Sequence, residues 1–161
     1  MRRLTQTQSA GVLFYGAAKG TLLTDSTIAN NDMGLYYASS SPTLSPNAQI
    51  GATDNIFKNN RYEGIVFDQG RAKIAGNKVT DGNVGIMFLQ YAPSPPYLGQ
   101  SYGDDDAITA TIVKGQSVAA IQVLSDQSPT GDFPGYDTFT NCSISGAILD
   151  NATNCHLTFR S

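Results

Sequence analysis

Two stretches of the chain combine aromatic rings with carboxylates, the residue types that bind sugars. The first is LQYAPSPPYLGQSYGDDD at residues 89–106, and the second is SDQSPTGDFPGYD at residues 125–137. Aromatic faces pack on apolar faces of sugar rings, and carboxylates accept hydrogen bonds from sugar hydroxyls. We therefore predict that loops 90–106 and 125–137 bind carbohydrate through Tyr91, Tyr97, Tyr102, Asp104, Asp106, Asp132, Phe133 and Tyr136.

The composition of the first stretch also suits two different roles. A solvated loop stiffened by its prolines accounts for the same residues. Carboxylate oxygens are also Ca²⁺ ligands, but three consecutive residues, Asp104–Asp106, cannot all point at one ion. Calcium therefore ranks below sugar binding, and neither a cofactor nor a metal site is predicted.

A pair of carboxylates held at a suitable separation can hydrolyse a glycosidic bond. The candidates for such a pair are Asp68 with Asp105 or Asp126. Nothing in their spacing selects one pair. The sequence therefore leaves catalysis undecided and leans against it.

The charge content limits the classes of partner. Charged residues make up 14% of the chain, the net charge is −3, and no run of Lys or Arg occurs. A nucleic-acid binder would carry a basic patch, and a membrane span would need about 20 apolar residues in succession. We expect a polysaccharide or cell-surface glycan as partner, with no nucleic acid and no membrane span. The composition does not fix a compartment, and an extracellular location is favoured.

The residues that position these loops belong to a repeat. NIFKNNRYEGIVF at 55–67 and NKVTDGNVGIMF at 77–88 share an Asn, an apolar residue, polar turn residues, a Gly and then alternating apolar positions. Copies stack so that apolar residues form columns inside the fold, and insertions collect at one corner.

Three apolar columns follow from this alignment. Column one contains Leu35, Ile65, Ile86, Ile121 and Ile148. Column two contains Leu23, Ala52, Ile74, Ala107, Phe139 and Leu157. Column three contains Ile28, Phe57, Val79, Ile112 and Ile144. The step from column two to column three is five residues in each of five successive copies.

The segments are short and alternate with period two, which is typical of strands. We predict an all-β fold, a single right-handed parallel β-helix over residues 1–161 with five to six coils of about 22 residues and insertions at one corner. An antiparallel sandwich is the alternative, but it does not explain the constant five-residue step.

Asparagines at fixed places in the repeat have a structural role. Asn55 and Asn77 each lie two residues before column three. Asn tolerates the left-handed backbone conformation, and stacked amides can bond from coil to coil. We predict a ladder of this kind.

The outward positions beside column one are largely apolar, which predicts an interface through Tyr36, Val66, Met87 and Leu149. Insertions that fold over the stripe would account for the same pattern. Solenoid ends also need covering. We therefore expect either a fragment of a longer β-helix or a homo-oligomer.

The two quoted repeats resemble the right-handed parallel β-helix repeat family, the pectate-lyase-like superfamily. That family includes pectin-degrading lyases and hydrolases, mannuronan epimerases and phage tailspikes. The resemblance implies the fold and leaves the activity open.

The family's catalytic patterns fit this chain poorly. Its hydrolases carry paired aspartates, a Gly-His-Gly and an Arg-x-Lys, whereas here the only histidine is His156, and Arg71-Ala72-Lys73 lies on a column-two strand. We predict a non-catalytic module that binds carbohydrate or another surface. The alternatives are a fragment or divergent member of a polysaccharide lyase, hydrolase or epimerase, and a structural or assembly module.

Overall fold

A computed structural model describes residues 9–15, 21–38, 50–68, 72–90, 107–125, 135–150 and 155–161. These residues form seventeen strands and no helix. In chain order the strands are β1 (Ala10–Tyr15), β2 (Leu22–Thr24), β3 (Thr27–Ala29), β4 (Met33–Ala38), β5 (Ile50–Thr53), β6 (Ile56–Lys58), β7 (Glu63–Asp68), β8 (Ala72–Ala75), β9 (Lys78–Thr80), β10 (Val84–Gln90), β11 (Ala107–Thr109), β12 (Ile112–Lys114), β13 (Ala119–Ser125), β14 (Gly135–Thr140), β15 (Ser143–Ser145), β16 (Ile148–Asp150) and β17 (Cys155–Arg160).

The strands form three parallel sheets. Sheet A has the order β1-β4-β7-β10-β13-β16, sheet B has β2-β5-β8-β11-β14-β17, and sheet C has β3-β6-β9-β12-β15. Neighbours within each sheet are one turn of the chain apart and run parallel. The chain thus winds from sheet A to sheet B to sheet C and back to sheet A. This winding confirms the predicted parallel β-helix.

The structure confirms most of the residues assigned to the three predicted columns. Column one pairs strand by strand as predicted, from Leu35 to Ile148. Columns two and three were wrong in one coil, where Ile108 and Val113 take the places assigned to Ala107 and Ile112. Both positions move by one residue, so the five-residue step is preserved. Ile112 itself points outward and is 39% exposed.

Column two was also wrong at its end. Phe159, and not Leu157, pairs with Phe139. Their rings stack with centroids 5.0 Å apart. Phe67 and Phe88 stack similarly at 5.3 Å, so aromatic rings pile along the axis of the helix and fill the interior.

In each coil, one residue with a left-handed backbone lies at the corner between sheets B and C. This residue explains the constant five-residue step from column two to column three. After the column-two residue and one further strand residue, the backbone enters positive φ at Asp25, Asp54, Gly76, Ala110 and Asn141. The next residue begins the turn into sheet C, and the column-three residue lies two positions later. Asp, Asn and Gly suit this conformation because their short or missing side chains relieve the clash with the backbone.

The predicted asparagine ladder is present directly after these left-handed residues. Nδ2 of Asn55 donates to Oδ1 of Asn77 at 3.0 Å, and the backbone N–H of Asn55 donates to the same oxygen at 3.0 Å. Nδ2 of Asn77 donates to the carbonyl of Ala52 at 2.8 Å. Both asparagines are 1% exposed. The ladder therefore satisfies polar backbone groups that the turn leaves inside the solenoid.

Candidate functional site

The outer face of sheet A carries a second apolar cluster, separate from the interior columns. Tyr36, Val66 and Met87 point outward and align in register. They are nevertheless only 5%, 1% and 3% exposed, and they pack with Met33, Val84 and Leu89. The prediction that these three residues form an exposed interface is therefore corrected. Alternation along a strand gives the direction of a side chain, but not whether other segments bury it.

The fourth predicted interface residue, Leu149, differs from the other three because it is exposed. Leu149 is 37% exposed at the far end of the same outward row. The row begins with Leu13, which is 51% exposed. Exposed leucines therefore lie at the two ends of sheet A, while the middle of the row is buried.

A shallow open groove of about 420 Å³ lies beside this cluster. It crosses β7, β10 and β13, so three successive coils contribute to it. The lining residues are Tyr62, Glu63, Asn83, Val84, Met87, Val118, Gln122 and Leu124. Tyr62, Asn83 and Val118 come from the turns between sheets C and A, where each chain segment enters its sheet A strand.

The polar side chains of the groove come from three neighbouring coils. Glu63 pairs in register with Val84, and Met87 pairs with Gln122. Oδ1 of Asn83 accepts a 3.1 Å hydrogen bond from the Ser117 hydroxyl, which orients its amide. The groove therefore offers two amides, and the carboxylate of Glu63 is almost wholly buried in its wall.

Tyr62 supplies the aromatic ring of the groove. The guanidinium carbon of Arg61 lies 4.8 Å from the centroid of this ring, which is a cation–π contact. Glu63 is 3% exposed and is the only charged residue among the described residues of the lining. The arrangement suits a ligand that has hydroxyl groups and an apolar face.

Asp68, a candidate catalytic residue, is buried. Its Oδ2 accepts a 2.6 Å hydrogen bond from the hydroxyl of Tyr36, and its side chain is 8% exposed. Burial raises the pKa of Asp68, although the bond from Tyr36 opposes this shift. Asp68 does not line the groove. Its predicted partners Asp105 and Asp126 lie outside the described residues.

The predicted sugar-binding residues lie almost entirely outside the described residues. This holds for Tyr91, Tyr97, Tyr102, Asp104, Asp106, Asp132 and Phe133. The backbone of Tyr136 lies in β14 and pairs with His156 of β17. Both loops begin where sheet A strands end, at Gln90 and Ser125.

Sequence reasoning did not assign the groove residues to a site. Tyr62 and Asn83 occupy equivalent positions before the glycine of the repeat, and Glu63 and Val84 follow them. A polar or aromatic residue at this repeat position was the available signal. This signal marks the turn from sheet C to sheet A, which precedes each sheet A strand. The two loops instead follow the ends of sheet A strands.

The described residues also bear on metal and membrane binding. Among them, no group of three side chains of the metal-ligating types lies together. No helix that could cross a membrane occurs in the described part of the chain.

Comparison with known proteins identifies the family. The family model described as a right-handed β-helix region matches residues 3–93. Searches of curated proteins and of solved structures find no match to this chain. The matched region covers more than half of the chain and contains both of the clearest sequence repeats, and its strands pair in the parallel coils described above. The chain therefore belongs to the right-handed β-helix family.

Proposed function

We propose that the protein is a non-catalytic β-helix module that binds carbohydrate on the outer face of sheet A. The binding surface consists of the groove across β7, β10 and β13, and loops 90–106 and 125–137 are proposed to contribute to carbohydrate binding as well. One observation carries the proposal. Three adjacent coils place an aromatic ring, a carboxylate and two amides around an apolar depression.

The size and shape of the groove support a sugar ligand. Its volume of about 420 Å³ lies in the range of small-molecule sites. Because the groove is open and runs across successive coils, it can accommodate part of a longer polymer. The planar amides of Asn83 and Gln122 are suited to bind sugar hydroxyls, while Val118 and Leu124 offer an apolar surface to the ring carbons.

The aromatic and acidic composition of the two loops supports the same proposal. Loop 90–106 begins at the end of β10 and loop 125–137 at the end of β13. These two strands supply Met87, Gln122 and Leu124 to the groove. Each loop thus follows a strand of the sheet that carries the groove, and its aromatic and acidic residues are proposed to add further contacts with the sugar.

A glycan array followed by titration calorimetry with the best ligand tests the proposal. Tyr62→Ala and Gln122→Ala each remove a contact and are expected to weaken binding about 10-fold, as for the loss of one good contact. Thr158→Ala is the matched control, because Thr158 is exposed on sheet B, away from the groove. Unchanged affinity in both groove variants, with their folds intact, would reject the groove as the site.

The same samples address an enzymatic function. Acidic polysaccharides are incubated with the protein, and unsaturated products or new reducing ends are measured. Turnover that is lost in Asp68→Asn would replace the non-catalytic proposal with a lyase or hydrolase. We expect neither product, because Asp68 is buried against Tyr36 and does not line the groove.

A further inference from the structure

We propose that the outer face of sheet C binds a linear anionic polysaccharide, at a surface separate from the groove on sheet A. The outward side chains of β6, β9 and β12 include Lys58, Lys78 and Lys114, and all three are exposed. The described part of the chain contains one other lysine, Lys73, which lies in β8. The described lysines are therefore concentrated on one face of the solenoid. We call this surface the lysine face, and its residues are Ile56, Lys58, Lys78, Thr80, Ile112 and Lys114.

The three lysines are staggered in register. Lys58 and Lys114 both pair with Thr80, so they lie in one row, two strands or roughly 10 Å apart. Lys78 lies in the neighbouring row, where it pairs with an isoleucine on each side. No lysine is directly opposite another, which limits the repulsion between them in the unbound protein. The fold can therefore keep three cations together on one small face.

The described outward positions of sheet C contain no acidic residue. They are Thr27, Ala29, Ile56, Lys58, Lys78, Thr80, Ile112, Lys114, Ser143 and Ser145. Carboxylates occur instead at the corners that flank the sheet, among them those of Asp54 and Asp81. A Cβ on Gly76 would collide with Oδ1 of Asp54, and a Cβ on Gly115 would lie 3.2 Å from Oδ1 of Asp81. Both carboxylates therefore lie against the corner backbone of the following coil, and the lysine face itself is positive.

The borders of the lysine face suit an extended polymer. Short connections precede and follow each of its strands, at residues 54–55, 59–62, 76–77, 81–83, 110–111 and 115–118. The long connections of the chain lie between sheets A and B. A linear polymer can therefore lie across β6, β9 and β12 and meet the three lysines in succession.

Two features of the lysine face favour a polysaccharide over other polyanions. Ile56 and Ile112 are 40% and 39% exposed on either side of Lys78, and they offer apolar contacts to the carbons of sugar rings. The outward residues described for sheet C include no aromatic ring, the group on which the bases of a single-stranded nucleic acid stack. The ligand is therefore a sugar polymer with acidic groups on its rings.

The strength of such binding depends on salt and on polymer length. Each exposed ion pair is weak by itself and is screened by salt. The Debye length is about 8 Å at 0.15 M salt, which is similar to the separations between the lysines. One polymer can therefore engage all three lysines together at low salt, whereas a short acidic oligosaccharide reaches too few of them to bind well.

Titration calorimetry with a linear polyuronate tests the proposal. The neutral control is the same polymer with its carboxylates reduced to alcohols. Measurements are made on the wild type and on Tyr62→Ala, which removes a contact of the groove on sheet A. We expect both proteins to bind the polyuronate equally and more tightly than the reduced polymer. Raising the salt from about 0.05 M to 0.5 M should weaken polyuronate binding roughly 10-fold or more.

Lysine variants assign the binding to sheet C. Lys78→Gln should weaken polyuronate binding about 3-fold, and the double variant Lys58→Gln/Lys114→Gln about 10-fold, as for the loss of one and two exposed ion pairs. Lys73→Gln is the matched control, because it removes the same charge from an exposed lysine of sheet B. We expect this control to bind as the wild type does. Thermal melts followed by circular dichroism confirm that each variant is folded.

Four results would overturn the proposal. The first is no binding of the polyuronate at low salt. The second is an equal loss in Lys73→Gln and Lys78→Gln, which would assign binding to the net charge. The third is equally tight binding of single-stranded DNA, which would make the face a general polyanion site. The fourth is a loss in Tyr62→Ala that matches the lysine variants, which would place the polymer in the groove. Binding of neutral glycans in the groove is measured separately, so the two proposals can fail independently.

Discussion

The hydroxyl of Tyr36 and the carboxylate of Asp68 form a 2.6 Å hydrogen bond across neighbouring coils on the outer face of sheet A. They come from adjacent strands, β4 and β7, and both side chains are buried. A carboxylate in this position is costly when charged, because burial removes its hydration. Its pKa is therefore raised above the ordinary value of 3.8.

The raised pKa of Asp68 predicts a pH-dependent stability. The native protein binds the Asp68 proton more tightly than the unfolded chain does, so this contribution is complete below pH 3.8 and is lost as the pH rises through the native pKa. Asp68→Asn should therefore gain stability relative to wild type as the pH rises from about 4 to 7. Urea denaturation at several pH values measures this. A stability difference that does not change with pH would show that Asp68 does not titrate in this way.

Removing the hydrogen-bond donor to Asp68 should lower the free energy of unfolding more at neutral pH than at low pH. Tyr36→Phe deletes the hydroxyl that donates to the carboxylate, and a hydrogen bond to a charged group contributes about 2 kcal/mol. We expect a loss of that size at pH 7 in urea denaturation and a smaller loss near pH 4. An equal loss at both values would assign the effect of the variant to packing alone.

The asparagine ladder predicts a large cost for one small substitution. Asn77→Ala removes the acceptor for two donors of Asn55 and the donor to Ala52. Because Asn55 is buried, its unsatisfied groups should lower the free energy of unfolding by about 3 kcal/mol. Asn83→Ala is the matched control, since its side chain is exposed and the loss should stay below about 1 kcal/mol. Equal losses in the two variants would contradict a special role for the ladder.

Two glycines on different sheets should differ sharply in their tolerance of alanine. A Cβ on Gly64 would collide with Val79 and lie 2.7 Å from the carbonyl oxygen of Gly85, which cannot move freely. A Cβ on Gly51 would meet Leu22 at 2.6 Å, but that side chain is 58% exposed and can turn away. Gly64→Ala should destabilise by about 2 kcal/mol or more, and Gly51→Ala by much less. Thermal denaturation of both variants measures this difference in stability. Similar midpoint temperatures for the two variants would contradict the prediction.

The charge of the groove predicts a preference among sugars. Within the part of the lining that the structure describes, Glu63 alone is charged, so an acidic sugar should bind less well than a neutral one of the same size. Glu63→Gln removes the charge with little change of shape and should narrow that difference. Titration calorimetry with a matched neutral and acidic oligosaccharide measures it. If the wild type prefers the acidic ligand, the charge argument fails.

Particular residues show which parts of the fold could be predicted from the sequence. Ile65 and Ile86 could be placed in one column because both follow the Gly of a clear repeat. The ladder of Asn55 and Asn77 followed from their equal distance before column three. In Ala107–Thr109 and Ile112–Lys114 the apolar residues are adjacent, so the pattern fits two alignments that differ by one residue. Burial of Thr111 at the ladder position distinguishes them, and burial is visible only in the folded chain.

By itself, the sequence determined the parallel β-helix, column one, most of columns two and three, and the asparagine turn, because these depend on repeated spacing along the chain. The tertiary structure decided that Tyr36, Val66 and Met87 are buried and that Tyr62, Glu63 and Gln122 border one groove. The physical reason is that a repeat specifies how each coil contacts its neighbours. Coverage of an outer face and the shape of a groove instead depend on segments that are distant in the chain and follow no common period.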